Sequence, residues 1–276
     1  MKLRNLLLIV AFFFVASMNP LHAQLFKGEV FGGLGMAQVD GDDCYGYKRL
    51  KGQVGAGVLL NVVDDWLDVG MEIVYNPKGA FKRDSISYSS YYAGRYDLKL
   101  NYVEVPVMVY FIDKYRYSIG VGASYGRLVG FSEKVNGAET DTRIGDGKLR
   151  WKEGYSGKDL GYIRSMEDIV NDPDLYGSDG QILIENSNSY RKHDFSICAD
   201  ARIRIWKGLH AQVRYQYSFV PIRTRMLYAD AAGVDPSKIR LQYNNQISLR
   251  ITYIFGEDLT KLNKAVTKEE KQRNRR

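Results

Sequence analysis

Alternation of apolar and polar residues dominates this chain, and it is clearest between Val103 and Gly126. The odd positions of this stretch are apolar or aromatic, the even positions are mostly polar or small, and a break at Asp113-Lys114 divides it in two. Period-two alternation predicts a β-strand with one apolar and one polar face. The two runs have ten and twelve residues, which suits a tilted bilayer-spanning strand better than a soluble strand of about 5–6 residues.

The same alternation recurs along the chain and predicts eight strands. Their outward faces begin at Val30, Val54, Leu67, Val103, Tyr115, Phe195, Leu209 and Tyr243. The predicted connections alternate between long and short, as outer loops and periplasmic turns do in an outer-membrane barrel. A single hairpin could also belong to a soluble β-sandwich, but a sandwich has no reason to sort its loops in this way. The sequence therefore predicts an all-β fold, an eight-stranded antiparallel up-and-down transmembrane β-barrel in the bacterial outer membrane.

The chain divides into a predicted barrel at residues 24–256 and two flanking segments. Residues 1–23 have a basic start, an apolar run from Leu6 to Ala16 and a small residue at the end, which predicts a secretory signal peptide. Within the barrel, residues 130–190 lose the alternation and are expected to form a long extracellular loop. Residues 257–276, with seven basic and four acidic residues, predict a charged periplasmic tail.

Composition agrees with a barrel in lipid. The chain has 21 tyrosines and 27 glycines, which suit aromatic girdles outside and small residues where side chains crowd the lumen. The formal net charge of +7 is expected to face acidic lipid head groups rather than nucleic acid, which a secreted chain rarely meets. The two cysteines, Cys44 and Cys198, form neither a disulfide framework nor a metal site, and we expect both to be free.

The faces opposite the apolar ones carry charges of both signs. The predicted interior polar network consists of Glu72, Glu104, Arg116, Asp200, Arg202, Arg204, Arg214 and Arg250. Because an eight-stranded barrel is filled by its own side chains and buried charges need partners, we expect these groups to pair. A fold-back at Lys207-Gly208 would place Asp200 beside Arg214. A narrow porin or transporter lined by the same residues is the alternative.

Catalysis is the less favoured function. A lipid-modifying barrel enzyme needs a His-Ser type of pair at its outer rim, and His193 has Ser189 and Ser196 in its vicinity. No third group that would orient the histidine is evident. The stretch Gly-Asp-Gly-Lys at 145–148 lacks the spacing of a phosphate-binding loop. We therefore expect no enzyme activity, no cofactor and no metal.

The predicted outer loops are the remaining candidates for function. The loop before the fourth strand contains Tyr88, Tyr91, Tyr92 and Tyr96, separated by serine and glycine. This composition is typical of adaptable protein-binding surfaces, although an ordinary aromatic rim would look the same. The sequence thus predicts a structural or interaction scaffold, with outer-membrane lipid around it and a protein partner at its extracellular loops or its tail.

One segment of the fourth strand reads Leu100-Asn101-Tyr102-Val103-Glu104-Val105-Pro106-Val107. It resembles a motif of the PorT-like family of outer-membrane β-barrel proteins, and the resemblance covers about Leu25 to Phe255. Some members of that family belong to the type IX secretion and gliding apparatus, so the resemblance implies a role in protein secretion. The long third loop has no match in the family. The proline inside the strand predicts a β-bulge.

Overall fold

A computed structural model describes residues 26–42, 44, 46–63, 66–83, 95–113, 116–135, 138–139, 143–147, 150–151, 184–185, 189–226, 229–230, 233–234 and 239–256. The predicted signal peptide and tail, most of the long loop, and Tyr88, Tyr91 and Tyr92 lie outside these residues. Within the described ranges, no helix is both long and apolar enough to cross a membrane.

Eight long strands form a closed antiparallel barrel. They are β1 (Phe26–Asp40), β2 (Arg49–Val63), β3 (Leu67–Lys82), β4 (Tyr96–Asp113), β5 (Tyr117–Val135), β6 (His193–Trp206), β7 (Leu209–Ser218) and β8 (Ile239–Ile254). Each strand pairs with its neighbours in chain order, and β1 pairs with β8 to close the sheet. The prediction of an eight-stranded up-and-down barrel is confirmed.

Short strands lie in the long connections, at the end of the barrel that we call the upper end. They are Ala138–Glu139, Arg143–Gly145, Arg150–Trp151, Ile184–Glu185, Ser189–Arg191, Arg223–Met226, Ala229–Asp230 and Gly233–Val234. Two of them pair side by side with the barrel strands: Ala138–Glu139 pairs with β5 and Arg223–Met226 pairs with β8. The upper end is therefore built from β-structure as well as from loops.

Most barrel strands are longer than a bilayer requires. β4 has 18 residues and β5 has 19, whereas about 9–11 tilted residues span the hydrocarbon core. β5 continues past the start of the predicted loop and contains a bulge: Asn101 pairs with Gly130 and Tyr102 with Leu128, which leaves Val129 as an extra residue. A bulge shifts the alternation by one position. Beyond it Glu133, at an odd position, is buried inside.

Pro106 does not cause the predicted bulge. It lies opposite Ser124 of β5, and the register of β3 and β4 is the same on both sides of it, with Met71 opposite Val107 and Val74 opposite Glu104. The proline is therefore accommodated in the sheet without an inserted residue, and the bulge between these two strands has its extra residue, Val129, on β5.

The outside of the barrel is an apolar belt between two aromatic borders. Ile73 and Ile119, near mid-height, are 61% and 64% exposed. The lower border includes Trp66, Phe111, Trp206, Tyr253 and Phe255, and the upper border includes Tyr75, Tyr125, Phe195 and Phe219. An apolar belt with aromatic girdles on a closed barrel is the surface of a protein embedded in an outer membrane and surrounded by its lipid. The chain is an outer-membrane β-barrel.

Two apolar clusters lie in the interior. The upper cluster contains Val39, Cys44, Ala80, Tyr96, Leu98, Leu100, Tyr102, Leu128, Tyr190 and Ile222. A smaller cluster, beside Asp200, contains Leu59, Met108, Tyr110, Cys198 and Ile254. Each cluster contains one of the two cysteines, and neither cysteine forms a disulfide. Polar side chains fill much of the interior below the upper cluster, and there the predicted network is found.

Candidate functional site

Arg214 of β7 lies at the centre of the polar interior. Its Nη2 and Nη1 atoms donate to the two carboxylate oxygens of Glu72 at 2.6 and 2.8 Å. Its Nε and Nη2 atoms donate to the two oxygens of Asp200 at 2.6 and 2.7 Å. Bidentate contacts of this kind are the strong form of the arginine-carboxylate interaction. One guanidinium therefore joins strands β3, β6 and β7.

Two further arginines complete this central network. Arg202 donates to Glu29 at 3.0 Å and to Glu72 at 3.3 Å, and Arg250 donates to Glu72 at 3.2 Å. With Asp200 and Arg214, the network holds three carboxylates and three guanidiniums, so its formal charge is balanced. Balanced and hydrogen-bonded charges are the form in which ions can be buried.

An aromatic hydroxyl and a glycine shape the same region. The Tyr110 hydroxyl donates to Asp200 Oδ2 at 2.8 Å, and the Arg202 guanidinium lies 3.9 Å from the centre of the Tyr110 ring. A Cβ atom at Gly120 of β5 would lie 2.5 Å from that ring. The glycine therefore provides the space in which Tyr110 reaches the arginines.

A second polar cluster lies above the central network. Lys78 Nζ is 2.5 Å from Glu104 Oε1 and 3.0 Å from Asp194 Oδ2, and all three side chains are 1% exposed. Asn244 donates to Asp194 at 3.1 Å, and the Ser218 hydroxyl donates to the other oxygen of that carboxylate. This Lys78 cluster ties β3, β4 and β6 together just below the upper apolar cluster.

Amide side chains join the two polar clusters. Asn76 donates to Glu104 Oε2 at 2.9 Å and to Gln246 Oε1 at 2.7 Å, and Gln216 donates to the same Glu104 oxygen at 3.0 Å. The described interior is thus filled by bonded side chains from the central arginines up to Lys78. Among the described residues, no three His, Cys, Asp or Glu side chains are grouped as a metal site requires.

The structure brings together most of the predicted network. Glu72, Glu104, Asp200, Arg202, Arg214 and Arg250 are buried inside, while Arg204 is half-buried near the lower rim. Arg116 was predicted to face the lumen but is exposed, and its guanidinium lies 5.5 Å from the Tyr117 ring. The reason is that β5 begins only at Tyr117, so Arg116 belongs to the turn and the alternation does not fix its direction.

Three charged members of the central network and the Lys78 cluster were not in the predicted network: Glu29, Lys78 and Asp194. Lys78 lies where the sequence predicts a loop, but β3 continues to Lys82, and Lys78 shares the even positions of Glu72 and Asn76. Glu29 lies in the glycine-rich first strand, where the alternation is weakest. The signal that could have found Lys78 is the same position parity, carried two residues beyond the predicted strand end at Asn76. Glu29 and Asp194 were already within predicted strands, Asp194 on the inward face.

Above the membrane, Arg223 occupies a buried polar site of its own. It donates to both oxygens of Glu133 at 3.1 and 2.7 Å and to Gln242 Oε1 at 2.7 Å, and it lies 4.3 Å from the centre of the Tyr190 ring. Tyr96, predicted to be part of a binding loop, is the first residue of β4 and is fully buried here, where its hydroxyl donates to Glu133 at 2.7 Å. We call this group the outer platform.

The outer platform holds its charge pair firmly. Burial by itself lowers the pKa of Arg223, but the neighbouring Tyr190, Tyr96 and Glu133 raise that pKa well above its usual value. The guanidinium therefore stays charged, and through it the segment after β7 is fixed to strands β4, β5 and β8.

Of the residues considered for catalysis, His193 and Ser196 do not come together. The imidazole of His193 is on the outer surface, where its Nδ1 atom is 2.6 Å from the Tyr125 hydroxyl. Ser196 is buried inside, where its hydroxyl accepts a hydrogen bond from Gln216 at 2.7 Å. The two side chains are on opposite faces of β6 and cannot act as a nucleophile and its base.

The chain is similar to several solved structures. The attachment invasion locus protein Ail of Yersinia pestis, in complex with the heparin analogue sucrose octasulfate, is 11% identical, with 83% of this chain and 99% of Ail covered and a TM-score of 0.38. Neisserial surface protein A is 9% identical, with 83% and 96% covered and a TM-score of 0.36. Outer membrane protein OprG of Pseudomonas aeruginosa is 7% identical, with 83% and 95% covered and a TM-score of 0.35. No model of a protein family and no curated protein matches the chain.

Proposed function

We propose that this protein is a non-enzymatic scaffold of the outer membrane that binds a partner protein on its extracellular side. The observation that carries the proposal is the filled interior. From the central network upward, the lumen is occupied first by the Lys78 cluster and then by the upper apolar cluster. An interior occupied by bonded side chains favours a structural role over transport. The long connections and the outer platform lie on the extracellular side in this proposal, so that side offers a partner protein the larger surface.

We also propose that the partner belongs to a secretion apparatus, as the PorT-like segment suggests. In this chain Tyr102 of the segment accepts a hydrogen bond from Asn244 at 3.3 Å, and Glu104 pairs with Lys78. The polar side chains of the segment thus take part in building the interior of the barrel. Choice of partner is then left to the outer loops, above all residues 130–190, with the tail as a second candidate.

An affinity purification from detergent-solubilised outer membrane tests the scaffold. It compares the full-length protein with a variant that lacks Gly137–Asn186 and, as the control, a variant that lacks residues 257–276. We expect a stoichiometric partner with the full-length protein and with the tail deletion, and its loss with the loop deletion. Absence of a partner from all three samples, or its retention by the loop deletion, would contradict an extracellular scaffold.

A narrow porin or transporter is the competing function, and a planar lipid bilayer separates the two. We expect the purified full-length protein to give no steady step-like current, because the central arginines and carboxylates occupy the cross-section of the lumen. Reproducible unitary currents that are absent from protein-free bilayers would overturn the filled-lumen argument and favour the porin.

A further inference from the structure

An apolar groove of about 500 Å³ crosses the lower outer wall of the barrel. Its outward-facing lining comprises Leu34, Tyr117, Ala201, Ile203, Ala211, Val213, Leu249 and Ile251. The groove exists because two neighbouring strands have small side chains at this place, Ala201 on β6 and Ala211 on β7. Larger apolar side chains surround these two alanines. A depression of this kind in a belt that faces lipid has the volume and the apolar lining to hold a hydrocarbon chain.

Two cations lie at the foot of this groove. Arg116 immediately precedes the groove residue Tyr117, and its backbone carbonyl accepts the N–H of Arg204 at 2.8 Å, next to the β6–β7 turn. Lys207 is in that turn, with its Nζ atom 4.9 Å from the exposed ring of Trp206. Both cations therefore lie against aromatic residues of the lower girdle, at the depth of the lipid phosphates.

We propose that this wall is a binding site for an anionic phospholipid of the periplasmic leaflet. One acyl chain occupies the groove over Ala201 and Ala211, and the phosphate group is held by Arg116 and Lys207. Charge complementarity selects this occupant, because basic residues at a membrane surface favour anionic head groups. The carboxylate of Asp113 lies on β4, on the opposite side of Tyr117 from β6, and so does not enter the groove. The proposal is independent of the scaffold function.

Native mass spectrometry of the detergent-purified full-length protein tests the site. The protein is mixed with equal amounts of phosphatidylglycerol and phosphatidylcholine that carry the same acyl chains. We expect one retained lipid with a preference of about tenfold for phosphatidylglycerol. Filling the groove with Ala201→Phe and Ala211→Phe together should abolish retention of both lipids. Gel migration with and without heating verifies that each variant is folded.

The head-group contacts have their own variants. Arg116→Gln with Lys207→Gly should retain a lipid but lose the preference for phosphatidylglycerol. Glycine suits position 207, where φ is 40°, so the second change removes the cation without straining the turn. Matched controls are Ala123→Phe, an outward-facing alanine of β5 outside the groove, and Arg127→Gln at the upper rim; neither should alter binding.

Three results would overturn the proposal. The first is that the unmodified protein retains no lipid. The second is that the double phenylalanine variant retains as much phosphatidylglycerol as the unmodified protein. The third is a dimer that disappears with the phenylalanines, which would make the groove an interface between two copies of the chain.

Discussion

Replacing Arg214 by methionine tests whether the central network holds the barrel together. The change removes a guanidinium that makes four hydrogen bonds of 2.6 to 2.8 Å to two carboxylates. Glu72 keeps Arg202 and Arg250 as partners, whereas Asp200 loses its only direct cation among the described contacts and keeps the Tyr110 and Gln212 donors. Three buried carboxylates then share two guanidiniums.

The size of the effect follows from burial. Removing one partner of a buried ion pair costs about 3–5 kcal/mol, because the other charge stays in a medium that solvates it poorly. Methionine is an unbranched apolar side chain that fills irregular space, so most of the loss arises from charge and not from a cavity. Against a typical stability of about 5–15 kcal/mol, the Arg214→Met variant should lose a large fraction of its free energy of unfolding.

A double-mutant cycle with Glu72→Gln isolates the interaction. Urea unfolding of the four proteins in lipid vesicles gives each free energy, and we expect the double variant to lose about 1–3 kcal/mol less than the sum of the single variants. Arg127→Met, an exposed change on β5, is the control and should stay within about 0.5 kcal/mol of the unmodified protein. A loss below about 1 kcal/mol for Arg214→Met, or additive single variants, would refute the reasoning.

Two more predictions concern the space and the charges around this network. Gly120→Val should lower the free energy of unfolding by about 1–3 kcal/mol, because its Cβ would meet the Tyr110 ring. The control in the same urea assay is Gly130→Val, whose Cβ would lie 3.5 Å from Asn101. Arg223→Met should leave the Glu133 carboxylate of the outer platform without its guanidinium and speed proteolysis between β7 and β8 by about tenfold, with the unfolding midpoint of the barrel little changed. Equal cleavage rates for this variant and Arg127→Met would show that Arg223 does not fix the platform.

The sequence predicted the spanning part of the barrel because the membrane enforces its pattern. Lipid on one side and packed side chains on the other require each strand to alternate, and a shift by one residue would turn every side chain to the wrong face. The alternation does not predict which side chains an inward-facing residue contacts. Arg202 and Glu29, for example, are 173 positions apart and meet only because β1 closes against β8.

The part above the membrane was harder to predict, because lipid no longer faces the outer side of the strands. In β3 the consecutive residues Pro77, Lys78, Gly79 and Ala80 are all buried, so the strand loses its two-faced pattern and resembles a loop. In β5 the bulge at Val129 exchanges the two faces and conceals Glu133. Arg223 follows a segment with no alternation at all, and only the folded chain shows that it binds Glu133.

The division of the central charges along the chain has a consequence for assembly. The first four strands supply Glu29 and Glu72, and the last three supply Asp200, Arg202, Arg214 and Arg250. Strands β1 to β4 thus contribute two negative charges and no positive charge to the central network. Strands β6 to β8 contribute three positive charges and one negative charge, an excess of two positive charges. Each unpaired ion in an apolar medium costs several kcal/mol. A sheet in which only one of these two groups of strands has entered the membrane is therefore unfavourable. β1 must pair with β8 before the barrel is stable in the membrane.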